Sequence, residues 1–118
     1  MKKQLIVFLV LFFPIINNFG ENEPIAKGRL EGGETPKDNN STVYAYLVNN
    51  SIEIEFLKEY SNVKITIEDS NGAVVFNTTI NTTAGMIYII DVSNLETGWY
   101  NILIECKTGG IKGCFYLY

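Results

Sequence analysis

The 118-residue sequence contains no histidine. That single absence removes the commonest general base and the commonest zinc ligand together. Cysteine is scarce: Cys106 and Cys114 are the only two, and their spacing is not the C-x-x-C of a redox pair. Without histidine, no ordinary nucleophile–base pair can be assembled from this chain. Helical periodicity is missing as well, since no ten-residue segment repeats its apolar positions every three to four residues. Positive charge is in short supply, with nine Lys and Arg against thirteen Asp and Glu and a net charge of −4.

Long apolar runs are absent with one exception. Lys2 and Lys3 precede twelve residues, Leu5 to Ile16, that are apolar throughout and interrupted only by Pro14. A short basic region followed by an apolar stretch is the layout of a secretory signal peptide. The run is too short for a spanning helix, which needs roughly 20 such residues. We expect residues 1–20 to be removed on export, leaving no stable membrane span. Without Lys2 and Lys3, seven basic side chains remain against thirteen acidic ones, a balance of −6. Nucleic acid and anionic membrane surfaces are poor partners for such a chain.

Residues 21–42 are rich in Glu, Gly, Pro, Asn and Lys and read as a flexible leader, with one short edge strand near Ile25 to Leu30. From Val43 the texture changes to short β-branched and aromatic runs separated by turn residues. Val43 to Val48, Ser51 to Leu57, Asn62 to Asp69, Ala73 to Ile80, Met86 to Val92, Trp99 to Cys106 and Ile111 to Tyr118 make seven such runs. Ile52, Ile54 and Phe56 alternate with Glu53 and Glu55, and Val63, Ile65 and Ile67 alternate in the same way. Seven strands within residues 43–118 predict an all-β domain, a seven-stranded antiparallel Ig-like β-sandwich.

"NLETGWYNILIEC", Asn94 to Cys106, supports that fold. In such sandwiches a tyrosine near the start of the sixth strand returns its hydroxyl to the backbone just upstream. Tyr100 fits this tyrosine corner. Gly98 would allow the bend into the strand, and Leu95 would plug the end of the core.

The runs "VYAYLVNNSIEIEF", "VKITIEDSNGAVVFNTTI", "LETGWYNILI" and "GCFYLY" together resemble a family of small secreted Ig-like β-sandwich proteins from gut Gram-negative anaerobes, itself a domain of unknown function. The likeness covers Val43 to Tyr118, and "PIAKG" at Pro24 to Gly28 matches the family's first strand. It implies export to the periplasm, the outer surface or the medium, and it carries over no catalytic residue. More distantly, "DSNGAVV" and "DVSNLETGWY" resemble the C-terminal sorting domain of type IX secretion cargo. That likeness implies the alternative of a secretion-sorting or envelope-assembly element.

Chemistry-bearing residues are few. A Gly109-Gly110 turn pairs Ile104 with Phe115 and Ile102 with Leu117, which places Cys106 and Cys114 on opposite faces. A three-residue loop, or a bulge at Gly113, would instead set Cys106 opposite Cys114 and allow a disulfide, as an oxidising compartment favours. Both alternatives stand on sequence grounds. Glu53 and Glu55 read as the solvated face of a strand. Glu68-Asp69 enters a turn, and "EDSNG" only partly resembles a calcium loop. No metal site and no cofactor is expected.

The functional hint is aromatic. Trp99, Tyr116 and Tyr118 fall on the face away from Ile102 and Ile104, beside Asn101 and Glu105. Such side chains offer flat apolar area with a polar handle; the plainer alternative is that the leader strand or the other sheet covers them, or that Trp99 helps close the core. The expectation is a noncatalytic exported binding module for a glycan or an envelope protein, with self-association as a further option. A small hydrolase or calcium-dependent enzyme is the weaker reading.

Overall fold

The computed structural model describes residues 23–31 and 41–118. The expected signal peptide lies outside the described residues. The described residues form eight strands: β1 (Ala26–Gly28), β2 (Val43–Val48), β3 (Ser51–Phe56), β4 (Tyr60–Asp69), β5 (Val74–Thr82), β6 (Met86–Asp91), β7 (Gly98–Cys106) and β8 (Gly109–Leu117). They form two antiparallel four-stranded sheets, β1-β2-β3-β6 and β5-β4-β7-β8. The eighth strand is the short edge strand of the leader, β1, which pairs with β2 through Ala26 and Ala45.

Period-two alternation builds the core. Ile52, Ile54 and Phe56 of β3 point at Val63, Ile65 and Ile67 of β4 and at Ile102 and Ile104 of β7, and all eight are inaccessible to solvent. Leu30, just after β1, is also fully buried, so the leader contributes to the core. Turn chemistry sets the registers. Asn49 takes φ of 58° between β2 and β3, a left-handed conformation that asparagine tolerates. At the β4–β5 turn the Asp69 carboxylate accepts the amides of Asn71 (2.9 Å) and Ala73 (3.0 Å), and Gly72 supplies φ of 86°.

β4 begins earlier than the alternation predicts. Asn62 adopts φ of 52° at a register shift between Tyr60 and Val63, and its amide donates to Asn81 Oδ1 at 2.9 Å. A bulge of this kind interrupts alternation without ending the strand. Tyr60 stays paired because its amide donates to Thr82 Oγ1 at 2.8 Å.

The closing hairpin corrects the expected register. Its turn is Lys107-Thr108, and Cys106 pairs with Gly109, Ile104 with Ile111, Tyr100 with Phe115 and Gly98 with Leu117. Two tertiary contacts favour this register. Thr108 Oγ1 donates to the Leu30 carbonyl at 2.6 Å, and the rings of Tyr100 and Phe115 stack with centroids 5.6 Å apart. The shift from the expected register is an even number of residues, so every side chain keeps its face. Phe115 and Leu117 are core, 3% and 5% exposed.

Of the two alternatives for Cys106 and Cys114, the register takes the one that sets them on opposite faces. Both thiols are free. Cys106 lies on the inner face and donates to the Leu30 carbonyl at 3.6 Å, whereas Cys114 sits opposite Asn101 on the outer face and is exposed.

Tyr100 makes the corner. Its ring is buried and its hydroxyl donates to the Glu96 carbonyl at 2.6 Å, while Gly98 takes φ of 145° and Leu95 packs against the core from the loop. Burial, with the nearby Glu96 and Asp69 charges, pushes the phenol's pKa above its ordinary value, so the hydroxyl remains a donor. Tyr100→Phe is expected to cost about 1 kcal/mol through the lost hydrogen bond. The check is a urea midpoint, and an unchanged midpoint at unchanged slope would deny the bond any stabilising role.

Candidate functional site

The outer face of β7 and β8 carries the expected aromatic residues. Trp99 and Tyr116 are cross-strand partners, with ring centroids 5.2 Å apart and planes at 79°. Tyr118 continues the row, 5.2 Å from Tyr116 at 89°. Edge-to-face contacts of this kind favour one another and hold the rings in place. Trp99 is 56% exposed, Tyr116 36% and Tyr118 93%. None of the three is drawn into the core. The next row of the sheet is Glu68, Asn101 and Cys114, so a carboxylate and an amide border the rings. The structure therefore brings Trp99, Tyr116 and Tyr118 together as one strip with hydrogen-bonding groups alongside.

Asp69, one half of the acidic pair before the β4–β5 turn, has its carboxylate engaged by backbone amides. Among the described residues, no three His, Cys, Asp or Glu side chains are grouped to hold a metal ion. Tyr100, Gly98 and Leu95 serve the corner.

A second surface went unread in the sequence. The outer face of the other sheet places Glu53 between Tyr46 and Ile89, and Glu55 between Tyr44 and Ile87. Tyr44 and Tyr46 lie parallel along β2, centroids 6.5 Å apart. These bulky neighbours correct the expectation of a solvated glutamate face. Glu53 and Glu55 are only partly exposed, and Glu53 Oε2 is shielded from solvent with no hydrogen-bond donor among the described residues. The cue lay in the partners: β-branched and aromatic residues on β2 and β6 flank the glutamates, but only the register reveals this.

Burial pushes the Glu53 carboxyl above its ordinary value of 4.5. A carboxyl raised on folding contributes stability that is fully present below the unfolded value and lost as pH rises through the folded one. At neutral pH the ionised Glu53 therefore opposes folding. Glu53→Gln is expected to raise the urea midpoint at pH 7, with the gain fading toward pH ~4. Equal midpoints at pH 7 would contradict the desolvation of this side chain.

Glu31 has the opposite sign. Its carboxylate meets Lys58 Nζ at 3.0 Å, Arg29 Nε at 3.2 Å and the Tyr60 hydroxyl at 3.2 Å. Burial alone would raise its pKa, but the hydrogen bonds from Lys58 and Tyr60 outweigh that and hold it below the usual range. Tyr60 also bonds Thr42 Oγ1 at 2.5 Å, so this cluster ties the end of β1 to β4. Its role is structural.

With this geometry in place, known proteins give a consistent picture. The solved structures include a similar chain, a DUF3244 family protein with an immunoglobulin-like β-sandwich fold from Bacteroides vulgatus. It aligns over 82% of this chain and 99% of its own, with a TM-score of 0.66 and 18% sequence identity, a likeness that shows the fold. No curated protein matches the chain. The family model described as "Domain of unknown function (DUF3244)" matches residues 24–117, β1 through β8, and the chain belongs to that family.

Proposed function

We propose that this chain is an exported, noncatalytic binding module that presents the Trp99–Tyr116–Tyr118 strip to a glycan or to an envelope protein. One observation carries the reading: three exposed aromatic rings lie in continuous edge-to-face contact on a regular sheet, with Asn101 and Glu68 beside them. Sugar rings present C–H faces that pack on aromatics and hydroxyls that seek amides and carboxylates, so this pairing of groups suits a glycan. The lack of histidine in the sequence supports a noncatalytic role. Lys2-Lys3 and the apolar run after them support export.

The chain carries its own reporter, because Trp99 is its only tryptophan. Titration with soluble polysaccharides or purified envelope proteins is expected to blue-shift Trp99 emission when the strip is covered. Tyr116→Ala should weaken the bound state by at least about tenfold, in the range of a buried aromatic anchor. Binding with unshifted emission, and unaffected by Tyr116→Ala, would place the ligand elsewhere and end this reading.

A further inference from the structure

Two four-stranded sheets expose four edge strands among the described residues, and three of these are protected. β1 is three residues long and carries Lys27. β5 exposes Val74 and Val75, but its pairing with β4 shifts register there, because Phe76 faces Ile67 and Val74 faces Glu68, and the resulting bulge at Val75 breaks the regular edge. β8 carries Lys112, and the backbone of Ile25 lies against its Gly113. β6 has no such device. Its sequence is Met-Ile-Tyr-Ile-Ile-Asp, without lysine or proline, and its ladder to β3 runs without a bulge. An edge strand of this kind is a template for another strand.

The ladder also fixes which backbone groups are free to pair. The amide of Val92 donates to Asn50 O at 3.0 Å, so by antiparallel alternation the bonded partners of β3 recur at Ile90 and Tyr88. The N–H and C=O groups of Ile87 and Ile89 therefore point away from β3, along the open edge. Their side chains share the outer face of the sheet, and Ile87 is 44% exposed.

We propose that β6 of a second copy occupies this edge, antiparallel about a two-fold axis. Partners across the new ladder must share a face and match in backbone phase, which limits the registers. With Tyr88 on the axis, Ile87 of one copy faces Ile89 of the other, Met86 faces Ile90, and Asp91 falls opposite Gly85. Each Ile87–Ile89 pair exchanges both of its backbone hydrogen bonds, and no like charges meet. Moving the axis to Ile89 sets Asp91 against Ile87. Moving it to Ile87 leaves Ile89 against Gly85. All three registers keep the two-fold symmetry, and the Tyr88-centred one alone sets apolar against apolar at every position from Met86 to Ile90. It joins the sheets of the two copies by their β6 edges and leaves both Trp99–Tyr116–Tyr118 strips uncovered on the opposite sheets. The dimer would then be bivalent toward an extended ligand. The inference does not depend on what that ligand is.

Sedimentation of the purified protein from low to high micromolar concentration is expected to show a monomer–dimer equilibrium. Ile87→Lys should weaken it by at least about tenfold, while its ammonium group, beside Glu55, leaves the fold intact by urea midpoint. Hydrogen exchange on the unaltered chain gives a second readout, independent of whether the variant folds. The amides of Ile87 and Ile89 should slow as concentration rises, while those of Tyr88 and Ile90 are slow throughout. A monomer at every concentration, a dimer indifferent to a folded Ile87→Lys, or Ile87 and Ile89 amides indifferent to concentration would each overturn the proposal.

Discussion

Phe115→Ala is expected to lower the stability of the domain by about 3–5 kcal/mol, the usual cost of emptying a buried phenylalanine site. Phe115 is 3% exposed and stacks on Tyr100, whose own position is fixed by the corner hydrogen bond. The neighbours cannot easily collapse into the space, because Ile102, Ile104 and Leu117 are held on regular strands. Set against a typical total of about 5–15 kcal/mol, the loss removes a large fraction of the whole. Tyr116, the next residue, supplies the control. Its ring lies on the outer face and, among the described residues, meets the rings of Trp99 and Tyr118, so Tyr116→Ala should cost about 1 kcal/mol. The comparison is a pair of urea midpoints. If Tyr116→Ala proved the more destabilising change, the faces of β8 would be inverted and the aromatic strip would be core.

Much of this architecture was legible in the residues. Alternation in Ser51–Phe56 and around Val63, Ile65 and Ile67 marks half-buried strands, and "LETGWY" marks a corner that one hydroxyl completes. The placement of Trp99, Tyr116 and Tyr118 on one face was legible for the same reason, since strand parity survives an error of register by an even number of residues. The register of the last hairpin was not. Gly109-Gly110 has the chemistry of a two-residue turn, and nothing local shows that Thr108 reaches the Leu30 carbonyl. The environment of Glu53 was hidden likewise, because Tyr46 across the adjacent hairpin shields only one side and the other depends on Ile89, from a strand paired over a long sequence distance. Local pattern specifies strands and faces; tertiary pairing specifies neighbours.

Gly113→Ala is expected to cost about 3 kcal/mol, at the upper end of what overpacking usually exacts. A Cβ built on Gly113 would lie 1.9 Å from Ile25 O, 2.8 Å from Ile25 C and 2.9 Å from Ala26 Cβ. Two of these atoms belong to backbone, which cannot rotate away as a side chain could. The clash therefore forces β1 off β8 or bends β8 away from β1. Either movement threatens Leu30, which is fully buried at the end of that segment, and the bond from Ile25 N to Ala45 O at 2.7 Å. Glycine at position 113 thus has a sterical reason unrelated to turn formation: it lets a strand of one sheet cross against the edge of the other and close the side of the sandwich. The variant should show a lowered urea midpoint together with fast hydrogen exchange at the Ile25 amide, while the amides of β4 and β7 stay protected in native buffer. An unchanged midpoint with the Ile25 amide still protected would mean that β1 does not touch Gly113, and that the leader segment is not what closes this edge.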